Sequence, residues 1–174
     1  MEPAHARSAP AGERRGDPAE RVEHARAVAW RALNRRERTE LELRGILAEK
    51  RVAPEDANVV VAELIEGGFV DDATFAVRFA DDRRRLDAWG SERITRRLRE
   101  LGVGAALIDA AIGDQDQGEE LEAALALLRR RIPTVPSTPR KRDRALGMLV
   151  RKGYELELAY DALRRYAGVD APLD

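Results

Sequence analysis

The apolar positions of this chain recur at helical spacing along most of its length. From about Ala19, Val22, Ala25, Ala29, Trp30 and Leu33 fall on one face. A second helix is predicted from Thr39, because Thr39-Glu40-Leu41-Glu42 has the form of a capping box. It carries Leu43, Ile46 and Leu47 to about Lys50. Pro54, suited to a first helical position, opens a third helix with Ala57, Val60, Val61 and Leu64. Gly67-Gly68 ends it, since glycine accepts the positive φ of a helix end without a Cβ penalty.

The stretch from Gly68 to Ala76 then joins two groups of helices. Asp71 or Asp72 can cap the next helix, and Phe75, Ala76 and Phe79 give it an apolar face. Helices follow from about Asp72 to Leu86, Ser91 to Leu101 and Ala105 to Ile112. After an Asp/Gln/Gly linker, Glu119 to Arg131 is helical, with Leu121, Leu125 and Leu128 on one side. Pro133, Pro136 and Pro139 make a stiff connection to helices at about Pro139–Lys152 and Glu155–Tyr166.

A single offset of 51 residues superposes these groups. It links Leu47, Leu98 and Leu149; Leu43, Ile94 and Ala145; Val52, Val103 and Tyr154; Ala57, Ile108 and Ala159; and Val61, Ile112 and Leu163. Gly102 and Gly153 coincide too, with Arg51 in the first copy. The expected fold is all-α, with three tandem three-helix, helix-turn-helix-like repeats in an elongated, curved arrangement. The repeats are placed at residues 19–70, 71–114 and 115–168. Residues 1–18, rich in Ala, Pro, Gly, Arg and Glu, are expected to form a disordered tail, and 169–174 a frayed end.

Composition agrees with a helical protein: charged residues make up 36% and aromatics only 5%. Cysteine is absent, which excludes disulfides, thiolate metal sites and cysteine nucleophiles. With no apolar run of membrane length and no signal pattern, a cytoplasmic monomer without a membrane association is expected. Enzyme chemistry finds little to work with. The only histidines are His5 and His24, and no phosphate-binding glycine loop occurs. Asp71/Asp72 sit where a cap belongs, and the adjacent side chains of Asp81/Asp82 diverge around a helix. His24 and Trp30 are read as packing residues. No enzyme activity, cofactor or metal is therefore expected.

The near-neutral total of −1 conceals an asymmetry. Residues 39–82 hold four Lys/Arg against eleven Asp/Glu, a net of −7, whereas 83–174 hold eighteen against fifteen, a net of +3. A helix-turn-helix would read DNA with its third helix, yet residues 54–66, 104–112 and 155–163 contain no Lys or Arg. The cations lie on second helices instead. Arg93, Arg96, Arg97 and Arg99 fall opposite Ile94, Leu98 and Leu101, and Lys141, Arg142 and Arg144 play a similar part in the last repeat. Arg83-Arg84-Arg85 and Arg129-Arg130-Arg131 close first helices, where cations complement the macrodipole without any partner. Four arginines on one helix repel one another, and guanidinium groups suit phosphate or carboxylate. The partner such a surface fits is either a nucleic-acid backbone or an acidic protein groove.

One stretch is more specific. Leu64…Gly68-Phe69-Val70-Asp71-Asp72-x-x-Phe75-Ala76-x-x-Phe79-x-x-x-Arg83 resembles the signature of the RecX regulatory proteins. Gly90-x-x-x-Ile94-x-x-x-Leu98-x-x-x-Gly102-Val103 continues it, and Arg38-Thr39-x-x-Glu42-Leu43-x-x-x-Leu47 looks like the opening of that family's first module. The resemblance spans about residues 20–166. It implies a non-enzymatic regulator built of three-helix repeats that lies in the groove of the RecA filament on single-stranded DNA. There such proteins restrain ATP hydrolysis, strand exchange and coprotease activity in recombination, repair and the SOS response. Arg83, Arg84, Arg93, Arg96, Arg97, Arg99, Lys141, Arg142 and Arg144 are the residues expected to meet the filament, with weak direct DNA binding possible. The alternative from the residues alone is a free-standing nucleic-acid binder acting through phosphate contacts; a plain interaction scaffold is a third. Arg51 in place of a turn glycine, the proline-rich connection and the long tail depart from the family pattern and bear on the angle of the third repeat.

Overall fold

A computed structural model describes residues 17–113 and 117–168. Residues 1–16 of the expected tail, the middle of the Asp/Gln/Gly linker and the expected frayed end therefore lie outside the described residues, while Asp17 and Pro18, placed in the tail, cap and open the first helix. Within these, nine α-helices and no strands are present: α1 (Pro18–Leu33), α2 (Glu40–Glu49), α3 (Pro54–Glu66), α4 (Asp72–Asp87), α5 (Ser91–Glu100), α6 (Ala105–Gly113), α7 (Gln117–Arg131), α8 (Pro139–Lys152) and α9 (Leu156–Ala167). None of the described helices is long and apolar enough to cross a membrane.

Local chemistry sets the ends where the sequence signals them. The Thr39 hydroxyl accepts from the Glu42 N–H, and the Glu42 carboxylate accepts from the Thr39 N–H, completing the capping box of α2. Asp71, rather than Asp72, caps α4 by accepting from the N–H groups of Ala73 and Thr74. The Thr74 hydroxyl also donates to it, and together these bonds hold its carboxyl below the usual range. Asp72 turns away and accepts from the Glu40 N–H at 3.0 Å, while burial pushes its carboxyl up.

In each repeat the first and third helices pack together and the second lies on the third. The result is three separate cores: one centred on Leu43, Leu47, Val60 and Val61, one on Ile94, Leu98 and Ile108, and one on Leu128, Leu149 and Leu163. Leu47, Leu98 and Leu149, equivalent under the 51-residue offset, are all fully buried, as are Leu43, Ile94 and Ala145. Asp56 is buried in the first core and accepts from the Arg21 guanidinium at 2.9 Å. Trp30 packs edge-on against Phe69, with ring centroids 4.7 Å apart. His24, expected to pack, is exposed instead, at the surface opening between α1 and α2.

The turn after each second helix has one geometry. Arg51, Gly102 and Gly153, again 51 residues apart, all take positive φ, at 59°, 85° and 91°. Arginine there adopts the left-handed conformation at a cost of about 1–2 kcal/mol, partly offset by the backbone freedom that glycine loses on folding. Arg51→Gly is accordingly expected to stabilise the protein by about 0.5–1 kcal/mol. Urea denaturation reads the change, and an unaltered or lower midpoint would contradict it.

Candidate anion-binding surface

The arginine-rich α5 begins at Gly90, which has no side chain with which to cap it. Its first N–H groups are satisfied from the next repeat. The Gly90 N–H donates to the Lys152 carbonyl at 2.9 Å and the Glu92 N–H to the Gly153 carbonyl at 3.0 Å. The Ser91 N–H and hydroxyl both donate to Glu120 of α7, at 2.7 and 2.9 Å. The end of α8 thus seats on the start of α5. At the other joint, the Thr39 hydroxyl at the start of α2 donates to the Leu101 carbonyl at the end of α5, at 2.6 Å. Thr39 and Gly90 are equivalent under the offset, and so are Leu101 and Lys152. Both joints therefore use one arrangement, with the second helices meeting end to start, so that carbonyl-rich termini face N–H-rich ones.

Glycines permit this approach. A Cβ on Gly90 would lie 2.3 Å from the Gly153 carbonyl oxygen, and one on Gly153 would lie 2.2 Å from the Arg93 Cβ. Tyr154 is buried beside the joint with its hydroxyl unpartnered. Burial pushes that hydroxyl up to about 12, with Glu120 adding to the shift and Arg130 opposing it.

This architecture divides the expected partner-binding cations into two groups. Arg83 is half-buried, ion-paired to Asp87 at 2.6 Å and placed over the rings of Phe79 and Trp89. Arg84 is mostly buried and donates to the Ile112 carbonyl at 3.3 Å. Arg93 stacks on Trp89, its guanidinium carbon 4.1 Å from the ring centre, and donates to the Arg151 carbonyl at 3.0 Å. Arg83 and Arg84 are thus committed within the second repeat, and Arg93 ties the second repeat to the third. Arg97 is exposed but paired to Glu100 at 2.7 Å.

Arg96 and Arg99 are exposed on α5 without an ion pair or side-chain hydrogen bond, as are Lys141 and Arg144 on α8; Arg142 is half-buried and likewise unpaired. Arg96 and Arg99 stand three residues apart on one helix face, as do Lys141 and Arg144. Such spacing repels by a few tenths of a kcal/mol per pair, which the fold does not require. Among the described residues, no group of three or more His, Asp or Glu side chains converges as a metal site would need.

Sequence reasoning found the cations but missed the residues that aim them: Gly90, Ser91, Trp89 and Glu120. The offset that maps Gly90 onto Thr39 was the available signal for Gly90. Nothing in the spacing of Glu120 marks it as a partner of Ser91.

Three family models match the chain in order. They are the first, second and third three-helix domains of RecX, at residues 25–64, 71–112 and 118–163. Proteins named regulatory protein RecX are similar to it over most of their length. The one from Streptomyces lividans is 35% identical over 150 residues, covering 85% of this chain and 80% of its own. That of Mycolicibacterium smegmatis is 35% identical over 161 residues, covering 88% and 85%, and that of Deinococcus radiodurans 33% over 178 residues, covering 98% and 85%. The crystal structure of RecX from Lactobacillus salivarius shares the fold, with a TM-score of 0.77 at 16% identity over 87% of this chain and 99% of its own.

Proposed function

The chain belongs to the RecX family of regulatory proteins, and from that premise we propose that it binds the filament of a RecA-type recombinase on single-stranded DNA. There it restrains ATP hydrolysis, strand exchange and coprotease activity, as a cytoplasmic monomer acting in recombination and repair. The family is regulatory and not enzymatic, so binding alone has to produce the effect. The observation that carries the reading to particular residues is the set of exposed, unpaired cations Arg96, Arg99, Lys141 and Arg144. They stand on second helices that the joints stack end to start, so their spacing is fixed by the fold. Guanidinium and ammonium groups held this way can meet phosphates or protein carboxylates at successive positions along a filament. Repeats at 19–70, 71–114 and 115–168 are the units that would bridge neighbouring filament sites.

The test is the single-stranded-DNA-dependent ATPase rate of the cognate recombinase with this protein titrated in at substoichiometric amounts. A dose-dependent fall is expected. An unchanged rate at saturation would rule the reading out. A free-standing nucleic-acid binder would instead hold naked oligothymidylate tightly, with affinity falling by about 0.7 log units per log unit of salt for each contact.

A further inference from the structure

A second cationic feature lies in the first repeat, on elements remote in sequence from α5 and α8. Between α1 and α2 a cavity of about 650 Å³ opens to the surface. Its floor is apolar, formed by Val28, Ala32 and Ile46, and its rim carries His24, Arg31, Arg35, Arg38 and Lys50 with Glu49 as the one carboxylate. Arg31 and Arg35 are exposed, and neither has an ion pair or a side-chain hydrogen bond. Arg38 reaches Glu42 only at 3.9 Å, and its Nε is buried with no acceptor. A single cation at the end of α1 would satisfy the macrodipole, so that term leaves most of the rim unexplained. A buried donor without a partner destabilises the fold unless an acceptor arrives.

We infer that this cavity docks an acidic amphipathic peptide segment of a partner protein, its apolar side chains on Val28, Ala32 and Ile46 and its carboxylates on the rim cations. Charge complementarity selects an anion, and the separation of the cations over two helices calls for several carboxylates rather than one. The apolar floor selects against a bare polyanion. His24 is the one aromatic side chain on the lining and no Trp, Tyr or Phe joins it, so the cavity lacks the succession of stacking platforms on which single-stranded nucleic acids are held. The volume lies within the roughly 300–1,000 Å³ usual for recognition pockets, and it suits the side chains of one or two helical turns. This site is independent of the α5 and α8 cations, so either proposal can fail without the other.

Fluorescence anisotropy of the full chain with a fluorescein-labelled peptide of repeated Glu-Leu-Glu-Glu-Leu-Leu-Glu tests the inference. Saturable binding is expected, at least tenfold weaker when serine replaces leucine in the peptide. Arg31→Glu with Arg35→Glu should weaken binding tenfold or more, and Lys50→Glu should act in the same direction, with helical circular dichroism unchanged. Arg96→Glu with Arg99→Glu should leave it unaltered. Equal affinity for the serine peptide, or displacement of the peptide by oligothymidylate of the same length, would overturn the proposal.

Discussion

Gly153→Ala is expected to destabilise the protein by about 3 kcal/mol and to loosen the third repeat from the second. Two costs combine. At φ 91° an L side chain is in the left-handed region, which costs about 1–2 kcal/mol. The added Cβ would also sit 2.2 Å from the Arg93 Cβ and 2.5 Å from the Arg93 nitrogen, so backbone must move, at a cost of about 1–3 kcal/mol. That movement would break the bonds from the Gly90 and Glu92 N–H groups to the end of α8 and unstack Arg93 from Trp89. With a denaturant slope of about 2 kcal/mol per molar urea, the midpoint should fall by roughly 1.5 M. Trp89 fluorescence should report the change before circular dichroism does. Gly45→Ala is the control, since Gly45 is an exposed interior position of α2 with open space where its Cβ would go. It should gain about 0.5–1 kcal/mol. Wild-type stability in Gly153→Ala would show that the joint is loose and does not fix the second helices end to start.

The second large effect concerns regulation and not stability. Arg96→Glu with Arg99→Glu should abolish inhibition of the recombinase ATPase at concentrations where the wild type is saturating. Each reversal removes one anion contact and adds a like-charge repulsion, so a loss of about 2–4 kcal/mol, or roughly 30- to 1,000-fold in affinity, is expected for the pair. Neither side chain has an intramolecular partner, so the melting temperature should stay within a few degrees. Reversing Arg93 would be a poorer experiment. Its stacking on Trp89 and its bond to the Arg151 carbonyl mean that lost regulation could follow from a broken joint. Full inhibition by the Arg96/Arg99 variant would remove this stripe from the mechanism and move attention to Lys141, Arg142 and Arg144.

The helices were legible because each rests on signals within about a dozen residues: the capping box at Thr39, Pro54 at a helix start, the glycines at 67 and 68 and the apolar faces between. Residue by residue, Leu47, Leu98 and Leu149 could be assigned to cores from spacing alone, and the structure buries all three. The shared turn could be anticipated at Gly102 and Gly153, but not that Arg51 would take the same left-handed conformation. The candidate surface was legible only as a supply of cations. Arg83, Arg84, Arg93 and Arg96 look alike in the sequence, and helical phase does not distinguish them when all sit away from the apolar stripe.

What the sequence determined by itself is therefore the local and periodic part: helix positions, the threefold repeat and the family to which the motif around Gly68–Arg83 belongs. Periodicity suffices for these because a helix needs only its own hydrogen bonds and one apolar face. Tertiary structure alone decided which arginines are committed to contacts inside the protein and which remain available. That choice depends on what other parts of the fold bring near: the ring of Trp89 and the carbonyl of Ile112 within the second repeat, and the carbonyl of Arg151 from the third. A guanidinium group beside a carbonyl 58 residues away is committed, and one three residues along the same helix is not. The difference lies in contacts across the joint, which no spacing within one helix encodes.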